Sequence, residues 1–236
     1  MPIDLFLPNY RSMRSFVKTR NGIKGIARVL LRITVEAIHR LLINLFDTLF
    51  GFLNWPEKKL RTRIFILIDP QGNSIPAPID ADRSIEFAKA VFKKNFNVKL
   101  LPHCPEEPFA EVLQKIPPSE ALYVKCNAGA IAEEFKIAGT FFSSNLCGSF
   151  YPVTAFVVID ISGNDGCCIG PVTDYLTLDP NGLRIFSTFA HEIGHSCGLW
   201  HIRERSNLMW PHRDRGEKVM WWQKNLFRSS RHVTYW

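Results

Sequence analysis

The residues with the clearest chemical potential form one short stretch that begins at His191. His191 and His195 are four residues apart, so on a helix they lie on one face, where two imidazoles can bind one zinc ion. Glu192 lies about 100° around the helix from His191, close enough to act on a zinc-bound water without binding the metal. Gly198 can adopt the left-handed conformation that ends a helix and reverses the chain, which would bring His201 to the same ion. These residues predict a zinc site with three histidine ligands and an adjacent base.

The spacing H-E-x-x-H-x-x-G-x-x-H resembles the motif of the metzincin clan of zinc peptidases, and the chain matches it at every fixed position. The resemblance implies a methionine in a tight turn below the zinc, and Met209 follows the third histidine at a suitable distance. Without the zinc motif, Met209 would be interpreted as an ordinary core methionine. Some metzincins carry a tyrosine two residues after that methionine. Here Pro211 occupies the position, so we expect this chain to lack the tyrosine's contribution.

The resemblance implies a zinc-dependent endopeptidase that hydrolyses peptide bonds in peptides or proteins by a zinc-activated water, with Glu192 as general base. The alternative is a non-catalytic zinc-containing binding module that is attached to a membrane. Glu192 argues against the alternative, because a purely structural zinc site needs no base beside the metal. Relatives shape the pocket for the residue after the cleaved bond just beyond the methionine turn. We therefore hypothesise that Arg213 or Arg215 favours acidic side chains there, and the alternative is that both belong to a solvated loop.

The charges of the chain are unevenly distributed. Residues 1–63 contain 12 Lys and Arg against 4 Asp and Glu, whereas residues 64–236 contain 17 against 18. The basic character therefore belongs to the N-terminal part. That part lacks interleaved exposed aromatic residues and a recognisable nucleic-acid-binding fold, so we expect no nucleic acid partner. A hydrophobic content of 46% is that of a globular protein and excludes a disordered chain.

We divide the chain into a basic amphipathic helical segment, residues 1–60, and a zinc metallopeptidase catalytic domain, residues 61–236. In the segment, polar residues recur every four positions, which places them on one stripe of a helix. They are Arg28, Arg32, Glu36, Arg40 and Asn44. The most apolar part, Leu41–Leu53, is only 13 residues long. A membrane-spanning helix needs about 20 residues, so this segment is too short to span.

Two interpretations of the segment stay open. Its apolar face sinks into an anionic membrane surface, which the basic residues approach, or the helix packs against the catalytic domain or against a second copy. Residues 1–20 lack the apolar core of a conventional signal peptide. The sequence leaves the localisation undecided.

Alternating strand and helix patterns predict an α/β fold, and the resemblance implies a mixed, mostly parallel sheet with an active-site helix. Apolar runs predict strands at residues 64–68, 98–101, 121–125 and 155–161, and helices at 80–96, 108–116 and 217–229. The resemblance adds an antiparallel edge strand at 139–150. Residues 179–182 predict a turn that leads into the active-site helix, and the alternative is Asp179 as N-cap with Pro180 as the first helical residue. The six cysteines leave a disulfide framework open, and we expect Cys197 to be a reduced, buried thiol.

Overall fold

A mixed sheet forms the centre of the fold in a computed structural model, which describes residues 31, 33–75, 78–114, 117, 122–124, 126, 152–168, 170–172 and 175–235. The strands in these residues are β1 (Lys58–Ile66), β2 (Val98–Pro102), β3 (Ala110–Val112), β4 (Tyr123–Val124), β5 (Val153–Val157), β6 (Asp160–Ile161), β7 (Gly166–Cys167), β8 (Tyr175–Leu178) and β9 (Val233–Thr234). The main sheet has the order β2-β1-β5-β8-β7, and β3 and β9 also pair with β1. Strands β4 and β6 form a separate pair.

Parallel pairing dominates the described part of the main sheet. Strands β2, β3 and β5 run parallel to β1, and β8 runs parallel to β5. Strands β7 and β9 are antiparallel to their neighbours. Along β1, Ile64 and Ile66 face one buried cluster, whereas Phe65 faces the other. A strand covered on both faces explains the continuous apolar run in the sequence. The predicted mixed, mostly parallel α/β fold is confirmed.

The described helices include α1 (Leu45–Phe50), α2 (Pro78–Phe96), α3 (Pro180–Arg184), α4 (Ser187–Ser196) and α5 (Trp221–Ser229). Helices α2 and α4 cover the same face of the sheet, because Ile85 and Phe92 share a buried cluster with Phe189 and Ile193. Residues 180–184 form helix α3 instead of the predicted turn, and the N-cap alternative is correct, since the Asp179 carboxylate accepts a hydrogen bond of 2.7 Å from the Gly182 N–H. The sheet and α2 together form the surface against which the predicted active-site helix, α4, packs.

Two helix predictions differ from the structure. Residues 110–112, inside the predicted helix 108–116, form β3 because they pair in parallel with β1. Helix α5 begins only at Trp221, since the backbone of Lys218 instead bonds to Ser206 and Leu208 at 2.9 Å each. The edge strand predicted at 139–150 lies outside the described residues.

Disulfide bonds are present in the fold, which resolves the question that the cysteine count left open. Cys126 is bonded to Cys167, and Cys104 is also in a disulfide. Cys197 is a reduced, buried thiol, as expected. Disulfides persist in oxidising compartments, and the Cys126–Cys167 bond fixes the end of β7 beside the predicted active site.

The N-terminal segment packs against the domain through its polar face. It is helical at residues 33–38, continues through a π-helical turn at His39–Ile43 into α1, and ends in a 3₁₀ turn at Gly51–Leu53. Glu36, Asn44 and Asp47 are buried. The apolar side chains point outward: of the 19 exposed large apolar or aromatic side chains in the described residues, 14 lie between residues 31 and 55.

A buried charge cluster fixes this arrangement. The Asp47 carboxylate contacts Lys58 Nζ at 3.0 Å, Arg228 Nε at 2.8 Å and the Tyr235 hydroxyl at 2.6 Å. The Asp47, Lys58 and Arg228 side chains are fully buried. The cluster ties α1 to β1 and to α5, and β1 itself begins at Lys58, before the division proposed at residue 60. Among the described helices, none combines the length and the apolar character that crossing a membrane requires.

Candidate active site

Helix α4 carries three of the predicted site residues on a rigid support. Phe189 and Ile193 on its back are fully buried in the main cluster. His191, Glu192 and His195 therefore project from a helix that cannot rotate without exposing core residues.

The chain reverses at Gly198 and brings His201 to the other two histidines. Gly198 has a φ of +90°, a left-handed conformation that strains residues with a Cβ. Its N–H donates to the His195 carbonyl at 2.9 Å, which ends the helix. As a result, the Nε2 atoms of His191, His195 and His201 lie 3.2 Å from one another in all three pairs.

The tautomers of the imidazoles favour a bound cation. His191 Nδ1–H donates to the Leu208 carbonyl and His195 Nδ1–H donates to the Leu199 carbonyl, both at 2.8 Å. The Nε2 atoms of these two residues then carry lone pairs, and lone pairs 3.2 Å apart repel unless a cation lies between them. Tetrahedral zinc with Zn–N bonds of about 2.0–2.1 Å places two ligand nitrogens about 3.3 Å apart. The donor set therefore fits zinc.

Burial keeps these histidines neutral, which is the form that binds a metal. Desolvation and, to a smaller extent, the charge of nearby His201 lower the pKa of His195 to about 3. Desolvation also lowers the pKa of His191 well below its ordinary value. Protons therefore do not compete with a metal ion for these two ligands near neutral pH.

Glu192 lies buried beside the triad, with 6% of its surface exposed. Desolvation raises its pKa to about 8, while the positive charge of Arg215 and a hydrogen bond from the Cys168 N–H act in the opposite direction. Strand β7 approaches this side chain closely. A Cβ at Gly166 would lie only 2.8 Å from Glu192 Oε1, so a larger residue there would displace the carboxylate.

Met209 lies in a tight turn that packs against helix α4. The Trp210 N–H donates to the Asn207 carbonyl at 3.1 Å, which closes a tight turn around Met209. Met209 is fully buried. Its Sδ lies 2.7 Å from the position that a Cβ at Gly194 would occupy, so the methionine packs directly against the helix backbone between the two histidine turns.

Sequence reasoning missed several residues that support the turn and the carboxylate. The Asn207 side chain accepts from the Met209 N–H at 2.8 Å and donates to the Gln223 side chain at 2.8 Å. Both amides are buried. Gly194 gave one usable signal, because a glycine inside a helix has low propensity and indicates a close packing contact. Gly166 and Gln223 gave no such signal in the sequence, since the residues that they contact lie in distant parts of the chain.

The two arginines proposed to select acidic side chains lie in different environments. Arg213 forms an ion pair with Asp165, whose two carboxylate oxygens accept hydrogen bonds from the guanidinium at 2.8 and 2.7 Å. Arg215 is half-buried and donates to the Thr188 hydroxyl at 3.0 Å and to the Trp210 carbonyl at 3.2 Å. Its charge acts on Glu192 and on the triad. Arg215 is thus the arginine that faces the candidate site.

Comparison with known proteins supports the family indicated by this geometry. The family model described as Matrixin matches residues 80–223. A solved structure, metalloproteinase-II from Bacteroides fragilis, is similar with 15% sequence identity and a TM-score of 0.44, over 74% of this chain and 56% of that one. The chain thus spans little more than half the length of that structure. Among curated proteins, none has significant sequence similarity. Since the family match extends over more than half of the chain and includes the histidine motif, this chain belongs to the matrixin family of metzincin zinc peptidases.

Proposed function

We propose that this protein is a zinc-dependent endopeptidase in which His191, His195 and His201 hold the zinc and Glu192 is the general base. One observation carries the proposal: the three Nε2 atoms converge at 3.2 Å. Two of the three histidines also direct their Nδ1 protons away, to backbone carbonyls. Such a triad has no satisfactory hydrogen-bonding arrangement of its own and is suited to a divalent cation.

Zinc bound there would supply Lewis-acid chemistry, polarising the scissile carbonyl and acidifying the attacking water. Glu192 accepts the water proton at its carboxylate and then donates it to the leaving amine. Burial raises the pKa of Glu192, the direction that lets a carboxyl group hold the water proton before passing it on. Gly166 and the Cys168 N–H restrict where that carboxylate can lie. Gly198 and Met209 act as structural support by placing His201 and by filling the space below the ligands.

Glu192→Gln tests the role of the carboxylate with little change of shape. We expect the variant to retain stoichiometric zinc and to lose at least about 10²-fold in kcat on quenched peptides, the usual contribution of a general base. Glu86→Gln is the matched control, because it makes the same exchange at an exposed carboxylate of α2 that is paired with Lys89. Unchanged turnover in Glu192→Gln would refute the assignment of the base.

The same experiment addresses the alternative, a non-catalytic zinc-containing binding module. That alternative predicts stoichiometric zinc without turnover in the wild-type chain, on casein and on a proteome-derived peptide library alike. Turnover that Glu192→Gln abolishes excludes the alternative. A chain that binds no zinc would exclude both functions.

We further propose that residues 1–60 contact an anionic membrane surface, as a segment distinct from the catalytic domain of residues 61–236. Two observations support the membrane as the partner. The outward face of the segment is apolar, with Leu42 the most exposed of its large side chains at 76%. The first 63 residues also carry an excess of eight positive charges, since they contain 12 Lys and Arg against 4 Asp and Glu. Apolar burial and attraction to anionic lipid reinforce each other at a membrane surface.

Vesicle flotation of the full chain tests this contact. We expect binding to vesicles that contain phosphatidylserine, weaker binding to neutral vesicles, and loss of binding when Leu42, Leu45 and Leu49 are replaced by serine. Tyr123→Ser is the matched control, because Tyr123 is exposed but lies outside the segment. Equal binding of both variants, or a dimer in solution that covers the same leucines, would contradict the proposal.

A further inference from the structure

Arg40, in the N-terminal segment, contacts the C-terminal end of the active-site helix. Its Nη2 atom donates to the carbonyl of Cys197, the C-cap residue of α4, at 2.9 Å. The same atom lies 2.8 Å from the position that a Cβ at Gly198 would occupy. The guanidinium therefore covers the turn that leads to His201. A cation at a helix C-terminus satisfies a carbonyl that lacks a helical partner and interacts favourably with the helix dipole.

The guanidinium is fixed from several directions. Its Nη1 atom donates to the Leu226 carbonyl and to the Ser229 hydroxyl, both at 2.6 Å. Glu36 forms an ion pair with Nη2 at 2.8 Å and a second ion pair with Arg231 at 3.1 Å. The Arg40 and Glu36 side chains are only 13% and 7% exposed. A planar guanidinium with this many partners has a well-defined position.

The turn under Arg40 depends on two backbone hydrogen bonds. The Gly198 N–H donates to the His195 carbonyl and the Leu199 N–H donates to the Gly194 carbonyl, both at 2.9 Å. These bonds set the direction in which the chain leaves the helix. A change at the Cys197 carbonyl would alter that direction before the chain reaches His201.

We infer that Arg40 is a positioning residue for the zinc site, through which the N-terminal segment supports the catalytic domain. Arg40 lies outside residues 80–223, the region that the family match covers. The inference rests on the proposed zinc site, because the ligand that Arg40 positions is His201. It adds a role to the segment that is independent of any membrane contact.

Zinc affinity of the full chain, measured by competition with a chromogenic chelator, tests this role. Outer contacts that orient metal ligands typically contribute 10- to 100-fold in metal affinity, so we expect Arg40→Met to raise the zinc dissociation constant about tenfold. Arg40→Lys keeps the positive charge but loses the planar guanidinium, and we expect a zinc dissociation constant between those of the wild type and Arg40→Met. Asn225→Ala is the matched control. Asn225 binds the backbone of Thr48, Leu49 and Phe52, so its loss loosens the segment away from the turn.

Hydrogen exchange in the metal-free protein provides a second readout. We expect faster exchange of the Gly198 and Leu199 amides in Arg40→Met, and unchanged exchange of these amides in Asn225→Ala. If the Arg40 contact only added global stability, exchange of these amides would become faster by the same factor in both variants. If Arg40→Met does not fold, Glu36→Gln replaces it, because this variant weakens the hold on the guanidinium without removing it, and the same direction is expected.

The outcomes distinguish this inference from the proposed function. A wild-type chain without zinc would refute the proposed function and the inference together. A wild-type chain that binds zinc, with equal affinity in Arg40→Met, would refute the inference alone. An equal loss of affinity in Asn225→Ala and Arg40→Met would also refute it, because the segment would then act only through stability.

Discussion

Replacing Gly166 by alanine tests whether Glu192 works from a fixed position. A Cβ at Gly166 would lie 2.8 Å from both Cγ and Oε1 of Glu192. Carbon atoms in ordinary contact are about 3.5–4.0 Å apart, so the Glu192 side chain must move by about 0.7 Å or more. A misplacement of about 1 Å at a catalytic group can lower the rate by about 10²-fold. We therefore expect kcat to fall by up to about 100-fold in Gly166→Ala, with zinc retained.

Gly163→Ala is the matched control in the turn that precedes β7. Gly163 has a φ of +77° and no neighbouring atom within 4 Å of its would-be Cβ, so alanine there causes backbone strain of about 1–2 kcal/mol without touching Glu192. The assay compares kcat on a quenched peptide, zinc content and the free energy of unfolding for both variants. If Gly166→Ala keeps the kcat of Gly163→Ala, Glu192 is not held by this contact or is not the base.

Three further predictions concern pH, metal and substrate. Burial lowers the pKa of Lys58 from 10.5 to about 8, so above pH 8 the unfolded state binds more protons at this residue than the folded state. Between pH 7 and pH 10, the free energy of unfolding of the wild-type protein, measured in urea, should rise by roughly 2 kcal/mol relative to that of Lys58→Met. An equal change with pH in the two proteins would contradict this prediction. Free zinc at about 1,000 times its dissociation constant should stabilise the wild-type protein by about 4 kcal/mol in thermal unfolding, whereas His201→Ala should lose most of this gain. Arg215→Gln should reduce by about tenfold any preference for acidic residues after the cleaved bond, because a charge-assisted hydrogen bond is lost. Arg213→Gln should leave this preference unchanged in a peptide library, since Arg213 is already paired with Asp165.

The convergence of the three histidines was predictable from the sequence because their spacing is local. Spacing on one helix places His191 beside His195, and a glycine at the helix end accounts for His201. The groups that orient these ligands come from distant parts of the chain. Arg40 and Cys197, for example, are 157 residues apart, and no spacing rule connects them.

The sheet was predictable where apolar runs are long and less so where they are short. The run at Ile64–Ile66 has burial on both faces and was predicted as a strand. Residues 108–116 contain apolar side chains whose spacing suits a helix or a strand, and pairing with β1 decides in favour of β3. Tertiary pairing of this kind overrides the local preference and is invisible in a single sequence.

The N-terminal segment shows why periodicity detects a face but not its direction. An amphipathic helix usually packs its apolar face inward. Here Asp47 pairs with Lys58 and Arg228 inside the protein, and breaking a buried pair of this kind costs about 3–5 kcal/mol. The polar face therefore binds the segment to the domain. The apolar face remains exposed, and burying it away from water would be favourable. Membrane contact and the positioning role of Arg40 are compatible because they use opposite faces. If membrane binding required the segment to detach, zinc affinity would fall on vesicles, and the two proposals could not both be correct.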